Sequence, residues 1–267
     1  MIFKTGRSNL ACTIFVPFDC KNNCSFCTSK ESYSKFDKNL DKILEDIKAL
    51  NKSDFFNEYV LTGGEPISDF EDLKKIVETC EKRVFINTTL PLQSDLTEII
   101  EYINNENKIA GINISRHIGH KFNNVADKNI IDTIKKPIRI NTVITDKFDF
   151  DKFLEFSKYW GGKNRLINLR ADYTKITDLT LKNRDEICNK LLAVADNLGN
   201  GGCMVCHENE FLYDGILISY HRGLKNSSFK LNDELLFVND ILVWPDGSVT
   251  YDWDMSTDKE FLSDLGL

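Results

Sequence analysis

Short β-rich runs alternate with helical patterns along most of the chain, and this alternation limits the possible fold more than any other feature. The predicted strands are rich in Val, Ile and Phe and lie at residues 12–18, 58–62, 83–87, 109–115, 138–144 and 165–170. Helical patterns follow or separate them, at residues 39–51, 70–80, 94–104, 123–135 and 150–160. The third to sixth strands recur about every 27 residues, a period that suits one βα unit each.

Helix after strand in strict alternation predicts parallel strands joined by right-handed crossovers. Six such units are too few to close an eight-stranded barrel, so we expect an α/β fold with an open, partial (β/α)6 parallel barrel in residues 1–200. A last helix is predicted near residues 181–198, before a glycine-rich break at 199–202. Residues 201–267 are predicted to form a C-terminal extension covering the barrel mouth, with a β-hairpin made of 235–243, a turn at 244–247, and 248–253.

The bulk composition excludes several classes of protein. The formal net charge of −7 gives no general attraction to a nucleic-acid backbone. Residues 1–10 lack the apolar run of a signal peptide, and no stretch has the 18 or more apolar residues of a membrane span, so we expect a cytoplasmic protein with no membrane association. In such a chain, eight cysteines favour metal or redox chemistry over disulfides.

The first predicted strand is followed directly by a C-x₃-C-x₂-C arrangement made by Cys20, Cys24 and Cys27. Three thiolates so close together can bind one face of a cubane [4Fe–4S] cluster and leave one iron without a protein ligand. The alternative is a zinc site, but structural zinc usually takes four ligands, often as C-x₂-C pairs. The spacing therefore favours an iron–sulfur cluster with one coordination position open.

The second predicted strand ends in Gly63-Gly64-Glu65-Pro66. Successive glycines at a strand end expose backbone groups to a ligand, and Glu65 adds an acceptor for an ammonium group. A Gly-Gly pair after a strand is by itself more often a tight turn. Here it is expected beside the cysteine loop, at the carboxyl edge of the sheet, where parallel α/β folds bind ligands.

With both motifs in this order, the sequence resembles the radical S-adenosylmethionine (SAM) superfamily, over about residues 10–200. The resemblance implies that the open iron binds the amino and carboxylate groups of SAM. It further implies that one electron, from an external flavodoxin- or ferredoxin-type reductant, cleaves SAM to a 5′-deoxyadenosyl radical that abstracts a substrate hydrogen. Such a protein is expected to be sensitive to oxygen.

The resemblance also implies roles for individual residues. Phe26 matches the aromatic residue before the third cysteine and is expected near the adenine of SAM. Gly63, Gly64 and Glu65 match the segment that receives the methionine amino group. The family commonly contacts ribose and carboxylate at the end of the fourth strand, where Ser115 and Arg116 stand; a solvated strand end is the alternative. Asn141 and Arg170 are weaker cofactor candidates, taken from the residues themselves: a polar side chain in an otherwise apolar strand needs a partner, which is SAM, the substrate or a neighbouring residue.

The predicted extension contains the candidates for substrate contact. They are His221, Arg222, Asp252 and Trp253, with ordinary loop and hairpin surface as the alternative. Cys203 and Cys206, followed by His207, spell a haem-attachment pattern that fits this chain poorly. An auxiliary cluster or metal there lacks further cysteines downstream, so structural or substrate-facing thiols are favoured.

Three hypotheses follow for function. The first is a radical SAM enzyme acting on a small polar molecule, of which a nucleotide or nucleobase derivative is an example. The second is the same chemistry on a peptide. The third is a non-catalytic zinc or iron–sulfur module.

Overall fold

The described strands and helices follow the predicted βα order through the first two thirds of the chain. The structure is a computed structural model and describes residues 2–5, 10–27, 29, 36–145, 148–172, 178–200, 208–221, 229–232, 235–238, 240–251, 262–263 and 265–267. The strands are β1 (Ile2–Thr5), β2 (Ala11–Val16), β3 (Glu58–Gly63), β4 (Arg83–Thr88), β5 (Ile109–Ser115), β6 (Ile138–Ile144), β7 (Arg165–Ala171), β8 (Asp196–Asn200), β9 (Glu208–Tyr213), β10 (Ile216–His221), β11 (Phe229–Asn232), β12 (Leu235–Val238), β13 (Ile241–Val243) and β14 (Val249–Thr250). The helices are α1 (Leu40–Leu50), α2 (Phe70–Thr79), α3 (Leu96–Asn105), α4 (Lys128–Ile131), α5 (Phe150–Trp160) and α6 (Asp178–Val194).

The six predicted strands are β2 to β7, and they pair in parallel in chain order. The α/β partial-barrel prediction is confirmed. The C-terminal extension adds one parallel strand at each side of these six strands. On one side β13 pairs with β2, and on the other β10 pairs with β7. The complete described sheet has eleven strands in the order β14-β13-β2-β3-β4-β5-β6-β7-β10-β9-β8. That residues 201–267 cover the barrel mouth remains a prediction.

Local sequence explains where the helices begin. Asn39 and Asp69 precede α1 and α2, and their side chains accept hydrogen bonds from the backbone N–H of Lys42 and Asp72. These caps satisfy donors that the first helical turn leaves without partners.

The helix predicted at 123–135 is wrong in extent, since α4 covers only four residues. Val125 instead forms an antiparallel bridge with Pro91, and the N–H of Ala126 donates to the carbonyl of Leu90 at 2.8 Å. Residues paired to the loop after β4 in this way are not helical, and α4 begins only after Asp127, its N-cap.

Two predictions near the tail also need correction. The helix predicted to residue 198 ends at Val194, and 196–200 instead pair with β9 as β8. The segment predicted as one strand at 235–243 is divided between two sheets: β12 pairs with β1 and β11, whereas β13 pairs with β2 and β14. The β13–β14 hairpin around the turn at 244–247 is confirmed.

Buried and more exposed residues alternate along the strands, so one face of a strand packs against the helices and the other faces the barrel interior. On β6, Ile138, Ile140 and Ile144 are buried in the main core, whereas Arg139 and Asn141 between them are more exposed. Side chains alternate between the faces of a strand, so Arg139 and Asn141 lie on the face away from the helices. Arg139 and Asn141 therefore place polar groups in the barrel interior.

None of the helices in these described ranges is both long enough and apolar enough to cross a bilayer.

Candidate functional site

The cysteine loop leaves the carboxyl end of β2 and presents three thiols near one another in sequence. Cys20 is exposed, Cys24 and Cys27 are half-buried, and none of the three is in a disulfide. The N–H of Cys27 donates to the carbonyl of Cys24 at 3.3 Å, which closes a turn between them. The loop is thus accessible and has local structure of its own.

The donor set of this loop fits an iron–sulfur cluster. In the conformation described, no three Cys, His, Asp or Glu side chains of the described ranges lie close enough together to hold a metal ion, so the fit depends on donor chemistry and access. Thiolates are the ligands such clusters take, and three accessible ones lie within one short loop. The other described cysteines, Cys12, Cys80 and Cys188, are buried.

A hydrogen-bond chain ties this loop to the Gly-Gly-Glu-Pro segment. Asn22, between the first two cysteines, donates from its side-chain amide to Thr89 Oγ1 at 3.1 Å. The Thr89 hydroxyl in turn donates to Glu65 Oε2 at 2.7 Å, and the Thr89 N–H donates to the same oxygen at 2.8 Å. Burial raises the pKa of the Cys20 thiol, and hydrogen bonding by Asn22 opposes that rise. Thr89 therefore joins the two motifs.

Glu65 is buried and its carboxylate faces these donors, with the Thr88 hydroxyl as a further one. Burial raises the pKa of Glu65, and the hydrogen bonds from Thr88 and Thr89 oppose that rise. The contacts observed for this carboxylate are structural ones, whereas its predicted contact to the ammonium of SAM remains a prediction.

Replacing Thr89 with valine should weaken the connection between the two motifs. Valine keeps the shape but removes the hydroxyl that bonds to Glu65 and Asn22, and the loss of a hydrogen-bond partner by a buried polar group costs about 1–3 kcal/mol of unfolding free energy. We expect that loss in denaturant unfolding, together with lower iron retention after anaerobic reconstitution. Thr89→Ser keeps the hydroxyl and is the matched control; equal losses in both variants would show that the hydroxyl is not responsible.

Gly63 is required by geometry at the end of β3. Its φ of +109° is rarely adopted by side-chain-bearing residues, and a Cβ there would lie 2.9 Å from the backbone nitrogen of Val16. The absent side chain lets β3 run close against β2 where the cysteine loop begins. This position accounts for the first glycine of the motif.

Phe26 lies in a cluster of rings that sequence reasoning did not find. Its ring meets His117 edge-on at 4.5 Å between centroids and His120 at 5.5 Å, and Phe122 contacts both histidines. The sequence held one signal for this cluster, the pair His117 and His120 just after β5. The two histidines are three positions apart and so lack the H-x₃-H spacing of helical metal sites. The predicted contact of Phe26 with adenine remains a prediction.

The half-buried position of His117 favours its neutral form. Its Nδ1 accepts the N–H of Val143 at 3.1 Å, and burial, helped by the charges of His120 and Arg116, lowers the pKa of His117 to about 3. A neutral ring in the folded state and a pKa of about 6.5 in the unfolded state favour folding at neutral pH. This contribution to the free energy of unfolding is fully present above about pH 6.5 and is lost as the pH falls toward 3.

We therefore expect His117→Asn to flatten the acid dependence of stability. The Asn Oδ1 can still accept the Val143 N–H, but the side chain does not titrate. Between pH 7 and pH 5 the original chain should lose about 2 kcal/mol more unfolding free energy than the variant. Denaturant titrations at the two pH values measure this difference; equal losses would contradict a neutral His117 in the folded protein.

The structure gives Arg116 a role in holding the loops together. The buried guanidinium donates to three backbone carbonyls, those of Thr89, Ser115 and Ala126, at 2.8, 2.7 and 2.6 Å. Burial lowers the pKa of Arg116 to about 10. Its neighbour Ser115 is half-buried at the strand end. The predicted cofactor contacts of both residues remain predictions.

The remaining candidates lie on the inner side of the barrel where they are described. Asn141 Oδ1 accepts from the side chain of Asn168 on β7 at 2.7 Å, and Arg170 and His221 are register partners across β7 and β10. Cofactor and substrate candidates thus share one face of the sheet. Arg222, Asp252, Trp253, Cys203 and Cys206 lie outside the described residues, as does His207.

A model of the radical SAM superfamily matches residues 14–155, which include the cysteine loop and the Gly-Gly-Glu-Pro segment. The chain belongs to the radical SAM superfamily. The resemblance predicted from the two motifs is confirmed.

Individual relatives of this radical SAM protein are similar to it in sequence or in fold. It is 23% identical over 263 residues to the radical SAM cyclopropyl synthase TigE of Paramaledivibacter caminithermalis, covering 84% of this chain and 55% of TigE. Structures of Streptococcus suis SuiB are also similar: the SAM-bound form has a TM-score of 0.58 at 16% identity, covering 90% of this chain and 59% of SuiB. The form bound to the precursor peptide SuiA has a TM-score of 0.54 at 18% identity, covering 69% and 45%. The chain thus spans about half the length of these proteins.

Proposed function

We propose that the chain is an enzyme that cleaves SAM reductively and uses the resulting radical to abstract hydrogen from a polar substrate. One observation carries the proposal: hydrogen bonds through Thr89 connect the cysteine loop to the Gly-Gly-Glu-Pro segment, at the carboxyl ends of the strands. When bound through Cys20, Cys24 and Cys27, a [4Fe–4S] cluster supplies the electron that breaks the sulfonium bond of SAM.

The chain's own residues bind and orient the cofactor in this proposal. The backbone of Gly63 and Gly64 receives the amino group of the methionine moiety beside Glu65. The ring of Phe26, which packs against His117, would lie beside the adenine. Ser115, Arg116, Asn141 and Arg170 are proposed to complete the cofactor contacts. The electron comes from an external flavodoxin- or ferredoxin-type protein.

The inner face of the barrel suits a polar substrate. Two cross-strand amide pairs lie there, Asn87 with Asn113 at 2.6 Å and Asn141 with Asn168 at 2.7 Å. Near the amino ends of the strands, Glu58 pairs with Arg83 at 3.3 Å. Amide pairs offer both donors and acceptors, so this lining favours a substrate with amide or other mixed polar groups. His221, at the end of β10, is the described candidate for substrate contact; Arg222, Asp252 and Trp253 are proposed with it.

A peptide is the second candidate substrate, and one structural relative gives it support. One SuiB structure contains a precursor peptide, and peptide amides match the mixed donors and acceptors of the lining. Neither TigE nor SuiB gives comparable support to a nucleotide substrate.

Anaerobic reconstitution with iron and sulfide, followed by SAM and a reductant, tests the proposal. We expect 5′-deoxyadenosine to form, whereas a non-catalytic metal module would form none. Deuterated polar metabolites and deuterated peptides then discriminate the substrates, because label from the true substrate should appear in 5′-deoxyadenosine.

A further inference from the structure

One side chain from a distant part of the sequence reaches the cysteine loop. His120 Nε2 lies 3.8 Å from Cys24 Sγ, although the two residues are 96 positions apart. Sulfur is a large acceptor, so hydrogen bonds to it are longer than those to oxygen. The contact therefore places a ring nitrogen against a thiol that the proposed function uses as a cluster ligand.

The fold holds His120 in this place from several directions. It closes a tight turn after β5 by bridging to His117, and Gly119 within the turn has a φ of +77°. Ile118 in the same turn is buried. Arg116 anchors the start of the turn through its three carbonyl contacts. The main chain around His120 is thus fixed by groups outside the cysteine loop.

Two phenyl rings orient the imidazole. Phe26 meets it edge-on at 5.5 Å and 82°, and Phe122 does so at 5.0 Å and 80°. Rings packed in this way restrict rotation of the imidazole about its side-chain bonds. The nitrogen facing Cys24 is therefore held there by packing.

We propose that His120 is a positioning residue that donates a hydrogen bond from Nε2 to the Cys24 thiolate and thereby raises the reduction potential of the cluster. The inference rests on the proposed function, since it requires Cys24 to be a cluster ligand. Reduction by one electron increases the negative charge shared between iron and sulfur. A donor at a ligand sulfur stabilises that charge, and hydrogen bonds to the sulfurs are among the factors that set the potential of such clusters.

Substitutions at His120 separate the hydrogen bond from ring packing. His120→Phe keeps an aromatic ring but removes the donor, whereas His120→Gln keeps an N–H donor without the ring. Phe122→Leu disturbs the packing and leaves the donor, which makes it the matched control. The reduction potential is measured by redox titration of the reconstituted proteins without substrate, followed by electron paramagnetic resonance, with iron content determined for each sample.

We expect a more negative potential in His120→Phe than in the original protein, and a smaller shift in His120→Gln. Phe122→Leu should leave the potential unchanged. Equal shifts in both His120 variants, or a shift in Phe122→Leu as large as that in His120→Phe, would assign the effect to packing and overturn the proposal, as would no shift in His120→Phe.

Spectroscopy of the unsubstituted protein gives a test that does not depend on the folding of variants. With ¹⁵N-labelled histidine, a weak nitrogen coupling and an exchangeable proton coupling at the reduced cluster are expected from an N–H···S contact. Absence of both couplings, or a strong coupling from direct histidine ligation, would overturn the inference. SAM cleavage by the same preparation is measured separately, so loss of the proposed function is distinguished from loss of the His120 contact.

Discussion

Replacement of any one of Cys20, Cys24 and Cys27 by alanine is expected to abolish the cluster and reduce SAM cleavage to background. Each thiolate supplies one of only three protein ligands, and a cubane held by two thiolates on an accessible loop is readily lost. The change should be seen as loss of iron, sulfide and visible absorbance after anaerobic reconstitution. Formation of 5′-deoxyadenosine should disappear with it.

Cys188→Ala provides the control for this experiment. Cys188 is buried in α6, far along the chain from the loop, so its replacement should leave iron content and SAM cleavage near those of the original protein. Retention of full iron in the loop variants, or zinc in place of iron in the original protein, would contradict the cluster assignment.

Trp244→Ala is expected to lower the free energy of unfolding by about 3–5 kcal/mol. The side chain is 1% exposed and lies between two other rings. Phe15 stacks on it at 4.6 Å and Phe36 at 5.1 Å, both within 15° of parallel. Truncation leaves a large cavity and removes both stacking contacts.

Trp244→Phe separates the stack from the polar contact of the indole. Phenylalanine keeps an aromatic ring between Phe15 and Phe36 but loses the hydrogen bond from Nε1 to Thr250 Oγ1 at 2.9 Å. We expect it to cost roughly 1–2 kcal/mol, in part from the lost hydrogen bond. Denaturant unfolding of the metal-free proteins measures both changes, and an alanine variant no less stable than the phenylalanine variant would contradict the stacking argument.

Trp244→Ala should also affect the cysteine loop, because Trp244 lies where the C-terminal extension meets the segment that follows that loop. Phe36 belongs to this exit segment, and the N–H of Asn39, the cap of α1, donates to the carbonyl of Pro245 at 2.8 Å. Iron retention is therefore expected to fall in Trp244→Ala more than in Trp244→Phe.

The sequence by itself determined the elements whose signals are local. Apolar runs with βα spacing predicted β2 to β7. The cysteine spacing and the Gly-Gly-Glu-Pro segment predicted the family for the same reason, since the motif residues stand next to one another in the chain.

Only the tertiary structure decided what depends on partners far away in sequence. Strands of the C-terminal extension pair with both outer strands of the predicted barrel sheet, and α4 is shortened because Val125 pairs with Pro91. The periodicity of the sequence shows neither of these pairings. Likewise, the donors around Glu65 and the approach of His120 to Cys24 result from loops that meet at one edge of the sheet. Local patterns fix the elements, whereas contacts between distant segments fix which atoms of those elements meet.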